Sequence, residues 1–327
     1  MSSAPRKGGW RVLAVWVGLL VILSAVSGGA ATPTVLFATG FERSEGYTND
    51  FALVGQGGWT GSGSGGNGIV TNFFDSLGPQ AGIQQAYIGY TPPEGTNAFL
   101  NLWRPLDYSP LAQGKALLKF SVWMAITSST TTNRDDFRWS TYNIDGQRLF
   151  TVDFDTTWFQ VNYALDDGQG FFTTGVTFTN DLIYELGLTM DFARNRWSAT
   201  LDGQDVFLDL PITTTNSVLN LGDIDAVWAV YNPGSAGDGF MVFDNYTVTA
   251  EPAPTPRLSG KVLPDGEFLL QMTQGVPGQT YVIDISSEFK SWVPVKTNSA
   301  GDAGGFDWLD SSAGGFSRRF YRARETQ

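Results

Sequence analysis

From Leu36 to Val248 the chain keeps returning to one pattern: a short run of alternating apolar and polar residues, closed by a glycine- or aspartate-bearing turn. A period of two places alternate side chains on opposite faces of a strand, so such a chain can bury one face of each strand and little else. Lys115–Ile126 reads as a long strand with Phe120, Val122 and Met124 on one face. Phe137, Trp139 and Thr141 alternate with Arg138, Ser140 and Tyr142, and Asp145-Gly146 is a hairpin turn into Arg148–Asp155. Gln160–Leu165 pairs with Phe171–Phe178 across Asp166–Gly170; Tyr184–Phe192 pairs with Arg196–Leu201 through Ala193-Arg194-Asn195. Val206–Leu210, Val227–Tyr231 and Met241–Thr249 complete the series. About a dozen strands in a segment of this length predict a large two-sheet sandwich rather than a small immunoglobulin-type domain.

Charge divides the chain. Residues 32–256 hold 9 basic and 24 acidic residues, whereas 257–327 hold 8 of each. Between them Glu251-Pro252-Ala253-Pro254-Thr255-Pro256 alternates proline, the composition of a semi-rigid linker. The predicted organisation is therefore a sandwich over 32–250, a linker at 251–256 and a small β module at 257–327. The module has strands at Glu267–Met272, Thr280–Ser286, Trp292–Asn298, Gly305–Leu309 and Arg319–Ala323, with turns at Pro264-Asp265-Gly266 and Val276-Pro277-Gly278. Its size suits a compact immunoglobulin-like sandwich. Ahead of both, Arg6, Lys7 and Arg11 precede an apolar run, Val12–Val26, and the small residues Ser27–Ala31. This is the build of a signal peptide over residues 1–31, so the protein is expected to be exported, to the cell surface or beyond, with no membrane span after cleavage.

Missing residue types narrow the chemistry. The sequence contains no histidine and no cysteine. That excludes a Ser-His-Asp triad, a histidine-ligated zinc, a thiolate nucleophile and an iron–sulfur site. A net charge of −12 argues against nucleic acid and anionic polysaccharide as partners and leaves neutral glycans open. Gly57–Gly68 lacks the Lys-Ser/Thr of a phosphate loop and reads as a flexible surface loop beside an anchoring Trp59.

Three stretches carry a family resemblance: Leu36-Phe37-Ala38-Thr39-Gly40-Phe41-Glu42, the hairpin Tyr184–Asp191 to Arg196–Gly203 with its Trp197, and Phe243-Asp244-Asn245-Tyr246-Thr247-Val248. Together they resemble the opening strand, central hairpin and closing strand of the concanavalin A-like lectin/glucanase (laminin G-like) jelly roll. The tail, with Gly275–Ile283, Trp292 and Arg318–Ala323, is similar to a small terminal β module of extracellular bacterial proteins. The resemblance implies an all-β jelly roll and, at Glu42 and Asp244, a structural Ca²⁺ joining first and last strands. In the glucanase branch it implies a Glu-x-Asp-x-x-Glu strand, which this sequence lacks; the nearest remnant is Asp153-Phe154-Asp155, read as a solvated strand face or loop edge. Asp135-Asp136 and Asp166-Asp167 are alternative cation ligands, but neighbours in a strand diverge and both pairs read as solvated loops. Trp103, Trp139, Tyr142, Trp158 and Tyr231 are the aromatic platforms available to a sugar. The expectation is a non-catalytic, lectin-like protein for neutral carbohydrate. The alternatives are a structural or adhesive component without a small ligand, and a divergent polysaccharide-cleaving enzyme.

Overall fold

The computed structural model describes residues 33–71, 77–95, 98–253, 256–275, 278–301 and 304–325. The expected signal peptide, part of the linker and part of the Val276-Pro277-Gly278 turn lie outside the described residues. What is described falls into two compact units, 33–253 and 256–325. Among the described residues no helix is long and apolar enough to cross a membrane.

The large unit is built from β1 (Thr34–Thr39), β2 (Thr60–Gly63), β3 (Asn67–Val70), β4 (Gln85–Gly89) and β5 (Phe99–Trp103). These lead into β6 (Leu117–Ile126), β7 (Asp136–Tyr142), β8 (Arg148–Asp155), β9 (Gln160–Leu165) and β10 (Phe172–Thr177). It closes with β11 (Ile183–Asp191), β12 (Arg196–Leu201), β13 (Gln204–Pro211), β14 (Asp223–Ala229) and β15 (Phe240–Glu251). Two antiparallel sheets result. One runs β13-β12-β11-β6-β15-β4-β3 with β1 added to β15; the other runs β10-β9-β8-β7-β14-β5-β2. This is the expected jelly-roll sandwich. The inward positions of alternating strands fill it: Phe120, Val122 and Met124 from β6, Phe137 and Trp139 from β7, Phe150, Val152 and Phe154 from β8. Trp197 of the central hairpin stacks on Phe150 across the core, ring centres 3.7 Å apart. Tyr246 of β15 reaches through to donate its hydroxyl to the Ile224 carbonyl at 3.1 Å.

Two sequence expectations change. Gly57–Gly68 is not a free loop: it holds β2 and the start of β3. Its glycines serve close approach, since a Cβ on Gly61 would lie 2.9 Å from Val54 and one on Gly65 2.9 Å from Trp228. And β14 begins at Asp223, four residues before the apolar run that marks it in sequence, because pairing with β7 extends to Asp223↔Tyr142.

The small unit holds β16 (Arg257–Val262), β17 (Phe268–Thr273), β18 (Thr280–Ser286), β19 (Val293–Ser299), β20 (Phe306–Asp310) and β21 (Phe320–Glu325). They form two three-stranded antiparallel sheets, β16-β17-β20 and β19-β18-β21, around Phe268, Leu270 and Ile283.

Candidate functional site

β15 changes partners along its length. Its first half pairs with β4, ending at Phe243↔Ala86, and its second half pairs with β1, starting at Tyr246↔Thr39. Between them the register against β6 slips across Asp244–Thr247, and Asn245 takes φ 51°. Such a bulge re-aims a side chain, and here it turns Asp244 into the gap between β1 and β4. Glu42, just past β1, enters the same gap. Both come together at Gly40, where a Cβ would meet Asn245 Oδ1 at 3.6 Å, Asp244 Oδ1 at 3.7 Å and Glu42 Cγ at 3.9 Å.

The loop before β4 is tied to both carboxylates. Asp244 Oδ2 accepts the N–H groups of Gln80 and Ala81 at 2.9 and 3.0 Å, and Oδ1 that of Asn245 at 2.7 Å. Glu42 Oε1 accepts those of Ile83 and Gln84 at 2.7 and 2.9 Å. Gly82 between them has φ +70°, and a Cβ there would strike Glu42 Oε1 at 2.1 Å, so only glycine fits. Burial, and after it the charge of Glu42, pushes the Asp244 carboxyl up, while the three N–H donors pull it back. Calcium takes six to eight oxygens and accepts backbone carbonyls among them. Glu42, Asp244 and the Asn245 amide oxygen fit as side-chain donors; no third acidic side chain joins them among the described residues, so carbonyls would complete the shell.

The second cluster lies on the outward face of the seven-stranded sheet. Period two sends Asp136, Arg138, Ser140 and Tyr142 of β7 away from the core, with Thr151 and Asp153 of β8, Asn162 of β9, Asp223 and Asp225 of β14, and Asn101 of β5. Cross-strand pairs lock this row. Arg138 Nε donates to Asp153 Oδ1 at 2.7 Å, and its Nη2 lies 3.5 Å from Asp136 Oδ2. Asn162 Nδ2 donates to Asp153 Oδ2 at 3.2 Å, Ser140 and Thr151 share a hydrogen bond of 2.8 Å, and the Tyr231 hydroxyl donates to Asp136. Burial, followed by the nearby charge of Asp153, pushes Asp136 up to about 7. Asp153 is also raised, chiefly by burial, with Arg138 opposing. Asp153 is therefore not a solvated strand face, and Asp135-Asp136 is not a solvated loop: Asp135 is buried and accepts the Gly237 N–H at 2.8 Å. Asp166 is no open loop either; the hydroxyls of Thr213, Thr214 and Thr215 surround it and hold it well below the usual carboxylate range against the opposing effect of burial.

Further along the same face stands a carboxyl pair that sequence reading passed over. Asp223 and Asp225 flank Ile224, whose side chain points to the core, so the two carboxyls share the outward side. They lie within hydrogen-bond reach of each other. Burial and mutual charge push Asp225 far up, and Asp223 rises mainly through burial. The signal was present as Asp-Ile-Asp leading into Ala-Val-Trp, a strand whose polar face begins before its apolar run.

The aromatic platforms separate. Trp139 is 0% exposed, donating its indole N–H to Met124 Sδ at 3.2 Å inside the core, and cannot meet a ligand. Trp158 is 70% exposed but sits on the turn between β8 and β9, where Asp155 Oδ1 accepts its backbone N–H at 3.0 Å. Trp103 and Tyr142 are half-buried on the outward face, and Tyr231 covers Asp136 while 63% exposed.

No family model matches the chain, and no curated protein matches it. Solved structures do. A conserved carbohydrate esterase from the Shiga toxin-encoding bacteriophage phi24B aligns at 15% identity and TM-score 0.48, over 67% of this chain and 100% of that one. Lectin II from Ulex europaeus aligns at 10% identity and TM-score 0.43, over 62% and 100%. A sialidase aligns at 10% identity and TM-score 0.40 over 58% of this chain, which spans 17% of the sialidase's length.

Proposed function

We propose that this is an exported, lectin-like protein that binds a glycan across the outward face of its seven-stranded sheet without cleaving it. The observation that carries the reading is the half-buried Asn101 beside the partly exposed rings of Trp103, Tyr142 and Tyr231, set over the buried polar row of Ser140, Thr151 and Asn162. Sugars need this combination: fixed hydrogen-bonding groups for their hydroxyls and apolar rings for their C–H faces. Binding rather than cleavage is favoured because Asp136 and Asp153 are each 1% exposed and committed to Arg138, Tyr231 and Asn162. Ca²⁺ held by Glu42 and Asp244 would stabilise the sandwich by binding only the folded chain. The small unit, read as an immunoglobulin-like spacer, has no assigned ligand.

A glycan array with the purified protein tests the reading. Binding of uncharged oligosaccharides, lost in Trp103→Ala and Tyr142→Ala, is expected; a blank array overturns it. A second reading, polysaccharide cleavage, draws on the proximity of Asp136 and Asp153 on one face. Release of reducing ends, abolished by Asp153→Asn, would establish it.

A further inference from the structure

Asp225 is only 4% exposed, and no N–H or O–H donor reaches its Oδ1. Its Oδ2 has Asn101 Nδ2 at 3.5 Å, a long contact. The neighbour on its own strand face is another carboxyl, Asp223, with Asp107 adding a further negative charge. Arg148, paired with Tyr142, is turned away to the Leu165 carbonyl at 2.9 Å. Elsewhere on the sheet a buried carboxylate is answered by a guanidinium, as Asp153 is by Arg138. At Asp223 and Asp225 the fold supplies acceptors and no donor beyond the long Asn101 contact and a proton of the pair's own, and leaves a charged donor to be brought in, which is what a ligand cation does.

Resting on the glycan reading above, we propose that the Asp223–Asp225 pair receives a protonated amine, so that the preferred ligand is an amino sugar rather than an uncharged one. An ammonium has three donors and needs a few acceptors in a small space. A divalent metal asks for six to eight oxygens, and no third acidic side chain converges on this pair among the described residues. The sugar ring would lie against the half-buried Trp103 and Tyr142, placing its amine over Asp223, with Asp225 behind. On binding, the proton shared by the two carboxyls leaves to solvent, and the ammonium takes its place as the hydrogen-bond donor between them.

The test is calorimetric titration at about pH 7, where an amine of the α-amino kind is still mostly protonated. Three tetrasaccharides are compared: β-1,4-linked glucosamine, the same chain N-acetylated, and β-1,4-linked glucose. The amino form should bind about tenfold more tightly than either neutral form, the gain expected of one charged hydrogen bond. Asp223→Asn and Asp225→Asn should each remove that preference while leaving neutral binding in place. Asp205→Asn, an exposed carboxyl on β13 of the other sheet, controls for general attraction of a polycation and should change nothing. Equal or tighter binding of a neutral form by the wild type overturns the amine site and leaves the glycan reading standing. So does a preference that survives in both variants. If none of the three binds and the array is blank, both fall.

Discussion

Asp244 and Asp225 are both almost fully buried aspartates, one on each sheet, and they live in opposite surroundings. Asp244 accepts three backbone N–H groups and, through them, fastens a loop to the strand where β1 and β4 meet. Asp225 has a second carboxyl beside it and one long amide contact. Burial raises both; at Asp244 three N–H donors oppose it, whereas at Asp225 only the Asn101 amide does. A buried carboxylate supplied with donors acts as a structural tie. One denied them stays protonated or waits for a charge, and that makes the outward face of the seven-stranded sheet the place to look for a ligand.

The sharpest way to break this contrast is to remove donors from the outward face. Arg138→Met leaves Asp136 and Asp153 buried without their cation, and stability should fall by about 3 kcal/mol at about pH 8. At about pH 5 the loss should be smaller, since both carboxyls are raised and can take up protons instead. Urea unfolding at the two pH values measures both. An equal loss at each would mean that the arginine acts through packing on Phe171, over which it sits at 4.5 Å, and not through charge.

Removing the tie should cost nearly as much. Asp244→Ala strands the N–H groups of Gln80, Ala81 and Asn245, a loss of about 2 kcal/mol. It also tests the calcium proposal: chelation should lower the melting temperature of the wild type and leave the variant unmoved. A wild type indifferent to chelator would show that backbone N–H groups alone hold the two carboxylates.

The contrast was only half legible in the sequence. Glu42 and Asp244 were singled out through the family resemblance, and the structure does bring them together at Gly40. Strands such as Arg148–Asp155, Gln160–Leu165 and Arg196–Leu201 follow directly from period two. Asp223 and Asp225 were not found, because sequence patterns mark a strand by its apolar residues, and β14 starts with two acids. Their burial depends on β7 and β5 lying alongside, a long-range fact that no local pattern carries. Trp139 failed as a platform for a related reason. It alternates correctly, but which face of β7 turns inward is fixed by the sheet opposite, and Trp139 is on that side.

A gentler test keeps the fold and changes only protons. Asp223 and Asp225 are raised in the folded chain, which therefore holds protons the unfolded chain has released above about pH 4. Stability from this pair is full below that pH and declines as pH rises, by at most about 1.4 kcal/mol per pH unit for one group. Asp225→Asn imitates the protonated form and should flatten the decline measured by thermal unfolding between about pH 5 and 8. An unchanged slope would place the pair's carboxyls in ordinary solvent.

The smallest expected effect belongs to Tyr231→Phe. The ring is largely exposed, so losing the hydroxyl removes little packing; what goes is the hydrogen bond to Asp136. That bond favours the ionised carboxylate, which Asp136 reaches only as pH passes about 7. Below that pH the protonated carboxyl needs the donor less, and wild type and variant should unfold alike. Above it the variant should be weaker by about 1 kcal/mol, a modest value for a hydrogen bond to a charged group near solvent. The difference should also grow with pH, since removing a donor raises Asp136 further and lengthens the range over which the folded chain holds a proton that the unfolded chain has lost. A constant difference at every pH would mean that the hydroxyl serves the protonated and the ionised Asp136 alike, and Asp136 would then owe its ionisation to Arg138 alone.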